Sequence, residues 1–411
     1  MRILIISAAY PPMRAGEATN TYHLATRLAN RGHEVDVLTS VSNAGGHEPG
    51  VRIHAVMPHW GWSALPRFAS TLRRLAPDAI LLMYIGWIYD SHPMMTFAPT
   101  IARKLLPPVP FVTRFENVSA ALPSEASFIA RVVRHAAARC AGTRHVHYNL
   151  GTLLRDSHAL IVLSDHHRAA LARLDSGVEQ KTTLIPPPPN MPIVAEDCEG
   201  RERVRQALGA SRGEFLLAYL GYVYPGKGIE TLLHAMHELV KRSAALRLVV
   251  IGGRIQLDDA DTSNYFGEMQ SLARQLGIAD RVIWTGGYAH DDEAPSRYLR
   301  AADACVLPFD TGVQFNNSSF SSAVAHDLPV ITTRGPRLEP QFVHQDNVFV
   351  CRPKDPAALA HAVDSVMSDD ELRARLRAGA RRLASEWFSW ERAIDRTVDV
   401  LRSRPTPDRQ R

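Results

Sequence analysis

A polar segment from Leu307 to Thr333 holds most of the residues that could bind a charged ligand. It lies between an apolar strand and a predicted helix start near Ser318. The side chains expected to contact a ligand there are those of Gln314, Asn316, Asn317, Ser318, Ser319 and Ser322. The start of a helix leaves backbone N–H groups unpaired and carries a partial positive charge, so it attracts phosphate. The segment predicts a site for a nucleotide diphosphate, although asparagines before a helix are equally typical of N-caps.

A glycine-rich turn from Gly221 to Gly228 includes Tyr222 and Lys227 and separates another predicted strand from an amphipathic helix. A P-loop needs serine or threonine directly after its lysine to hold magnesium, and Gly228 stands there instead. What remains is an ammonium group that could meet a pyrophosphate without metal. At ~4 Å and an effective dielectric near 20, such a pair is worth about 4 kcal/mol. A solvated turn lysine is the alternative interpretation.

A third turn, from Tyr10 to Glu17, follows the first predicted strand and contains Gly16. A glycine at this place is either part of a plain tight turn or a point where a ligand comes close to the backbone. All three turns follow the carboxyl ends of predicted strands, where α/β proteins bind ligands. We therefore expect them to converge on one cleft.

The turns are positioned by apolar strands that alternate with helix-length segments in both halves of the chain. The strands predicted are Ile3–Ile6, Val35–Leu38, Ala79–Met83, Phe111–Thr113 and Ala159–Leu163, then Phe215–Leu220, Leu248–Ile251, Val282–Trp284, Ala304–Leu307 and Val330–Thr332. Continuous apolar strands separated by helices indicate parallel sheets covered on both faces. The predicted fold class is α/β, with two Rossmann-like doubly wound domains facing across a cleft and C-terminal helices.

The proline run that starts at Pro186 enforces an extended backbone and marks the boundary between the two halves. The predicted divisions are an N-terminal domain at 1–185, a proline-rich linker at 186–200, a C-terminal domain at 201–386, a last helix at 387–401 that could return to the N-terminal domain, and a disordered tail at 402–411.

Size and composition are those of a soluble globular protein with two domains, and the net charge of +5 is too small to indicate nucleic acid. The four cysteines include no C-x-x-C pair, which indicates reduced thiols and a cytoplasmic location. No apolar run is long enough to span a bilayer, so any membrane contact is expected to be peripheral, at the inner face. His166 and His167 lack the spacing of a zinc pair and are predicted to be surface residues.

Several short motifs carry a family resemblance through their order and spacing. They are the proline pair and glycine before the first helix, Arg31–Val35, Gly221 with Lys227–Gly228, Val249–Gly253, Arg281–Gly286, Ala301–Ala304, Leu328–Val330 and Phe388–Trp390. Over nearly its whole length, the chain resembles the family-four retaining glycosyltransferases of the GT-B fold.

The resemblance implies a hexosyltransferase-type enzyme that moves a sugar from a UDP- or GDP-sugar to a hydroxyl acceptor, retains the anomeric configuration and needs no metal or cofactor. It implies that the C-terminal domain binds most of the donor. By the match, Lys227 binds the diphosphate and is the main catalytic residue. Gly16, with Glu17 beside it, lets the backbone approach the transferred phosphoryl oxygens. The amides around Asn317, Ser318 and Ser319 cradle the remaining oxygens.

The chain departs from the family pattern at several of these positions. Two glutamates of the family are replaced by Gln314 and Ser322, and an arginine by Tyr222. The family's histidine corresponds to Phe115, which makes the following Glu116 a catalytic candidate. The departures indicate an atypical branch. They also leave open a catalytically inactive GT-B-like binding protein or partner subunit of another transferase and, as a third alternative, an epimerase or phosphorylase.

Two segments of the first half could receive the acceptor. Tyr84–Tyr89 supplies aromatic side chains suited to stacking on a sugar or a lipid, and Phe128–Arg144 alternates apolar residues with arginines in a pattern that could rest on anionic lipid. Core packing explains the first segment equally well, and a solvated basic face explains the second. We expect an acceptor groove in the N-terminal domain, for a glycan, a lipid-linked molecule or a small molecule.

Overall fold

The computed structural model describes residues 1–44, 48–118, 132–133, 135–136, 139–140, 149–242, 245–254 and 260–403. The chain divides into two compact units. Unit one consists of Met1–Pro186 and Glu391–Arg411, and unit two consists of Pro187–Trp390. The division falls inside the proline run, and the last segment of the chain belongs to unit one. Most of the predicted tail, 404–411, lies outside the described residues.

Unit one is built on a parallel sheet, which has seven strands in the described part of the chain. The strands are β1 Arg2–Ile6, β2 Glu34–Ser40, β3 Val51–Met57, β4 Ala79–Tyr84, β5 Phe111–Phe115, β6 Ala159–Val162 and β7 Thr182–Leu184. Their order is β3-β2-β1-β4-β5-β6-β7. The central strands β1, β4 and β5 are buried along almost their whole length, as expected for a sheet covered on both faces.

Helices cover this sheet. They are α1 Gly16–Asn30, α2 Leu65–Leu75, α3 Pro93–Thr96, α4 Ala98–Leu105, α5 Leu153–Asp156 and α6 Asp165–Leu174. Helix α1 buries the apolar stripe of Ala18, Leu24, Ala25 and Leu28. It ends at Asn30 and is followed, after Arg31, by Gly32, whose φ of +80° suits a residue without a side chain.

Unit two repeats the same winding with a parallel sheet that has six strands in the residues described. The strands are β8 Phe215–Leu220, β9 Leu246–Ile251, β10 Val282–Trp284, β11 Ala304–Leu307, β12 Val330–Thr333 and β13 Phe349–Cys351, in the order β10-β9-β8-β11-β12-β13. The helices are α7 Cys198–Ala207, α8 Ile229–Arg242, α9 Ala260–Gln275, α10 Ala294–Ala301, α11 Ser318–Ala325, α12 Pro356–Ser368 and α13 Asp370–Trp387. The last helix, α14 Trp390–Arg402, lies almost entirely in unit one, where Asp395 forms an ion pair of 3.0 Å with Arg31.

Each sheet has a point where the winding reverses. In unit one the chain leaves β1 for β2 and β3 on one side and then returns to β4 on the other side of β1. In unit two the chain leaves β8 for β9 and β10 on one side and then returns to β11 on the other side of β8. Ligands of doubly wound proteins bind outside the carboxyl ends of the strands at such a switch point. The loops after β1 and β4, and those after β8 and β11, are therefore the places to examine for a site.

Candidate functional site

The two loops at the switch point of unit two are in direct contact. A Cβ atom on Gly228 would lie 1.8 Å from the backbone oxygen of Pro308, which directly follows β11. The amide of Asp310 donates a hydrogen bond of 3.0 Å to the backbone oxygen of Gly226. Gly228 also has a φ of +74°, which favours glycine. The turn after β8 is thus fixed against the end of β11 by a contact that a side chain would prevent.

Lys227 lies on this turn and is partly exposed. Its Nζ is 5.0 Å from the ring centroid of Tyr224 and 5.1 Å from that of Phe309. Aromatic faces attract a cation by about 0.5–1 kcal/mol each at exposed sites. Within the described residues, the Lys227 ammonium forms no ion pair with a carboxylate. The charge is therefore positioned by two rings and is not neutralised by them, so it can still attract an anion.

Helix α11 begins beside this turn with an uncapped end. Its N-cap residue, Asn317, does not cap the helix with its side chain, because Asn317 Oδ1 accepts a hydrogen bond of 2.7 Å from the amide of Gln314. The amides of Phe320 and Ser321 donate to the backbone oxygen of Asn317. In the part of the chain that the structure describes, the amides of Ser318 and Ser319 have no acceptor. These two donors can bind an anion.

The helix end and the glycine turn meet each other. A Cβ atom on Gly221 would lie 3.2 Å from Ser319 Oγ, so the glycine allows the turn to approach the helix. Next to them, Asn316 Oδ1 is a buried side-chain oxygen without a hydrogen-bond partner. The structure therefore brings the predicted residues Gly221, Lys227 and Ser319 to one edge of one sheet. Tyr222 and Gln314 are partly exposed on the same two loops.

Ser322 has a different environment from the other predicted binding residues. Its side chain is buried, and its Oγ donates a hydrogen bond of 2.8 Å to the backbone oxygen of Ser318 within helix α11. The geometry gives this hydroxyl a role in holding the first turn of the helix.

Two residues that the sequence did not single out hold the site in place. Glu339 is 5% exposed, and its carboxylate accepts a hydrogen bond of 2.7 Å from the amide of Phe315. His326, at the other end of α11, contacts the backbone oxygen of Ser322 through Nδ1 at 2.7 Å and Ser296 Oγ through Nε2 at 2.6 Å. Burial lowers the pKa of His326 to about 4, so the ring is neutral and donates through Nδ1–H. The contacts of Glu339 with Phe315 and of His326 with Ser296 join residues that are 24 and 30 positions apart in the chain.

The other predicted residues lie in unit one. Gly16 and Glu17 are the first two residues of α1 and are partly exposed. A Cβ atom on Gly16 would have no atom within 4 Å, so the protein leaves open space beside this glycine. The space is what a ligand contacting the start of α1 would need. The phosphoryl contact itself stays a prediction.

Glu116 follows β5 and is held by an internal ion pair. Its Oε1 lies 2.7 Å from Arg114 Nε, and its amide donates to the backbone oxygen of Tyr84. Arg114 is 1% exposed, and its Nη2 has no acceptor in the described residues. Phe115, at the position of the family's histidine, is fully buried against the Tyr84 ring. Glu116 is thus a fixed carboxylate, and its catalytic role stays a prediction.

Three expectations for the first half need correction or fall outside the described chain. Of the predicted aromatic surface at Tyr84–Tyr89, the rings of Tyr84 and Tyr89 belong to the core, and Trp87 alone among its three aromatic rings is exposed. His167, predicted at the surface, is 1% exposed because the first turn of α6 packs it inward. Most of the basic segment 128–144 lies outside the described residues; Val132 and Arg139 within it are exposed.

The described residues offer neither a metal cluster nor a membrane-spanning helix. They contain no group of three or more histidine, cysteine, aspartate or glutamate side chains that could hold a metal ion. None of the helices described is both long enough and apolar enough to cross a membrane.

Comparison with known proteins decides the family. The family model described as glycosyl transferases group 1 matches residues 200–383, and the model described as glycosyl transferase 4-like domain matches residues 15–188. Together the two matches cover most of both units. The chain is a family-four-type glycosyltransferase. The family and the enzyme class indicated by the motifs are thereby confirmed.

Relatives with curated names agree. This glycosyltransferase is 29% identical over 255 residues to the D-inositol 3-phosphate glycosyltransferase of Xylanimonas cellulosilytica. That match covers 59% of this chain and 56% of the relative, so it spans only a little over half of the relative's length. An uncharacterized glycosyltransferase of Methanocaldococcus jannaschii is 24% identical over 417 residues, and the match covers 98% of each chain.

Solved structures confirm the predicted GT-B fold class. A glycosyltransferase from Rickettsia africae superimposes with a TM-score of 0.73 at 14% identity and 97% coverage of each chain. HepE of Anabaena, solved with UDP and glucose, gives 0.71 at 18% identity, covering 98% of this glycosyltransferase and 99% of HepE. Sucrose-phosphate synthase of Thermosynechococcus elongatus gives 0.70 at 20% identity and 98% coverage of each chain. At these identities the likeness concerns the fold alone.

Proposed function

We propose that this glycosyltransferase moves a sugar from a UDP- or GDP-sugar to a hydroxyl acceptor, retains the anomeric configuration and uses no bound metal. The observation that carries the proposal is the uncapped start of α11 next to Lys227 at the switch point of unit two. Two unpaired amides and one ammonium supply the positive charge that a diphosphate needs. HepE, which shares the fold, was also solved with UDP-glucose, which supports a UDP-sugar donor here.

The chemistry follows from where charge develops. As the bond between sugar and diphosphate breaks, negative charge grows on the departing phosphate oxygen. Lys227 and the amides of Ser318 and Ser319 would stabilise that charge, because they are fixed donors that need no rearrangement during the reaction. Gly221 and Gly228 allow the close contacts that hold Lys227 near the start of α11. This is electrostatic catalysis of leaving-group departure.

A second candidate function is a binding protein that has lost activity. It is favoured by the neutral residues Gln314 and Ser322, which stand where the family carries glutamates, and by the buried hydroxyl of Ser322. Such a protein would still bind the nucleotide through Lys227 and the amides of α11. Binding alone therefore does not separate the two functions, whereas turnover of the donor does.

The test combines binding and turnover in the presence of a metal chelator. UDP, GDP, UDP-glucose and GDP-mannose are titrated calorimetrically, and slow hydrolysis of each bound donor is followed without acceptor. We expect one nucleotide series to bind and its sugar to be hydrolysed. Failure of all four ligands to bind would refute the proposal. Binding without any detectable hydrolysis or transfer would favour the inactive binding protein.

A further inference from the structure

The switch point of unit one has a surface that differs in chemistry from that of unit two. Several large hydrophobic side chains are exposed in the described residues, and Trp87 is the aromatic one among them. Its side chain has 41% of its surface accessible. It lies on the turn Gly86–Tyr89, directly after β4. Met13, also exposed, lies on the loop after β1, the strand next to β4. These two loops flank the switch point.

The turn that carries Trp87 is firmly anchored. Tyr89 is fully buried, and its hydroxyl donates to the backbone oxygens of Met83 at 2.8 Å and of Ile6 at 3.3 Å, which joins the turn to both central strands. Ile88 packs against the cluster that contains Ala15, the residue before Gly16. Trp87 therefore lies on an anchored turn, near the start of α1, and its ring is exposed to solvent.

The backbone after Trp87 adopts an uncommon conformation. Asp90 and Ser91 are consecutive residues with φ of +52° and +50°, although neither is glycine. Each such residue costs about 1 kcal/mol or more, and this kind of strain is concentrated at functional sites. The hydrogen bonds from the Asp90 amide to the backbone oxygen of Trp87 and from the Ser91 amide to that of Gly86 close the turn. The fold thus accepts strain where it exposes an indole ring.

We propose that Trp87 stacks on a carbohydrate ring of the acceptor, so that the acceptor is a glycoside. This inference rests on the proposed function, because it assigns the acceptor to unit one once the donor is assigned to unit two. An indole face is uncharged and apolar, with a polar N–H at one edge, and so matches the C–H face and hydroxyl rim of a sugar ring. It gives a diphosphate no counter-charge.

The experiment uses the full-length enzyme with the donor that it hydrolyses. Methyl α- and β-glycosides of glucose, galactose and mannose serve as acceptor probes, and octyl glucoside serves as a probe for recognition of an apolar tail. Trp87→Ala is compared with Trp87→Phe, which keeps an aromatic face. The matched control is Leu174→Ala, because Leu174 is also 41% exposed in unit one but lies at the far end of α6.

We expect Trp87→Ala to raise the KM for the preferred methyl glycoside about tenfold or more, the usual effect of removing a central tryptophan anchor. Trp87→Phe should recover most of that loss, and the control should match the wild type. The KM for the donor and the rate of donor hydrolysis without acceptor should not change, because no contact with the donor is assigned to Trp87.

The outcomes separate the inference from the proposed function. If the wild type hydrolyses a donor but no methyl glycoside accelerates turnover, or if Trp87→Ala leaves the KM for the glycoside unchanged, the stacking inference is wrong. Acceleration by octyl glucoside without any by methyl glycosides would also overturn it, since Trp87 would then bind an apolar chain. If no donor is bound or hydrolysed, the proposed function itself fails.

Discussion

Units one and two have the same winding but present different side chains at their switch points. In unit two the loops after β8 and β11 bring together Lys227 and the two unpaired amides of α11. In unit one the loops after β1 and β4 expose Met13 and Trp87. The first pattern suits a charged diphosphate, and the exposed indole of the second suits the face of a sugar ring. The fold determines where ligands bind, and a few loop residues determine which ligands they are.

Lys227→Ala should cause the largest loss of activity, because it removes the ammonium group from the switch point of unit two. We expect the rate of donor turnover to fall about 10²- to 10³-fold, as when one fixed donor to a developing oxyanion is lost. Steady-state kinetics with the preferred donor measures this effect. The matched control is Lys241→Ala, an exposed lysine at the end of α8. Equal activity of the two variants would show that the Lys227 charge does not set the chemistry of unit two apart from that of unit one.

Gly228→Ala should break the contact that holds the unit two loops together. A Cβ atom there would overlap the Pro308 oxygen and would also require a left-handed backbone for alanine. We expect the free energy of unfolding of the unit to fall by about 2–4 kcal/mol or the donor to bind more weakly.

The control for Gly228→Ala is Gly226→Ala. Gly226 also has a positive φ, but a Cβ atom on it would have no atom within 4 Å, so this variant should carry only the cost of backbone strain. Urea unfolding and donor titration of both variants measure the difference. If the two variants behave alike, the close approach to Pro308 is not what positions the loops.

Each unit also contains a buried histidine, and protonation of these two histidines in acid should lower the stability of the fold. Burial lowers the pKa of His167 in unit one and of His326 in unit two to about 4, against an ordinary value of 6.5. The unfolded chain therefore binds more protons than the folded chain between pH 6.5 and 4. The stability associated with each neutral histidine is complete above pH 6.5 and is lost as pH falls toward 4, by about 3 kcal/mol at most.

Urea unfolding at pH 7.5, 5.5 and 4.5 measures this loss. His326→Gln should flatten the pH dependence of unit two, since glutamine does not titrate. His361→Gln, which changes an exposed histidine of α12, should keep the pH dependence of the wild type. An unchanged pH dependence in His326→Gln would show that His326 is not the group that titrates.

Most of the strands that the sequence revealed lie inside the sheets, with β10 as the exception. All ten predicted strands are present, whereas β3, β7 and β13 were missed, and each of these lies at an edge. In β3, Arg52 and His54 interrupt the apolar pattern, because both side chains contact Asp36 of β2. An edge strand pairs with one neighbour only, and most of β3 is no more than partly buried. The pattern of such a strand alone therefore carries a weak signal.

The candidate site was predictable to the extent that its residues are local. Lys227 and the start of α11 could be read from turn composition and helix-start patterns. Glu339 could not, because its contact with the Phe315 amide exists only in the folded chain. The aromatic run Tyr84–Tyr89 showed the opposite limit. Composition could not tell which of its rings fill the core and which one faces solvent.

The central claim is that the amides at the start of α11 bind the donor's diphosphate. Ser318→Pro tests it directly, because proline is tolerated at the first position of a helix and removes the amide hydrogen of Ser318 together with its hydroxyl. The preceding residue, Asn317, has φ −79° and ψ 98°, an extended conformation that suits a residue before proline. Ser318→Ala, which keeps the amide, is the control.

The measurement is a calorimetric titration of the preferred nucleoside diphosphate into both variants with a chelator present. We predict a dissociation constant about 10- to 100-fold higher for Ser318→Pro, the cost of one hydrogen bond to a charged group, and a nearly unchanged value for Ser318→Ala. Equal affinity of Ser318→Pro and the wild type, with the fold intact, would contradict the account.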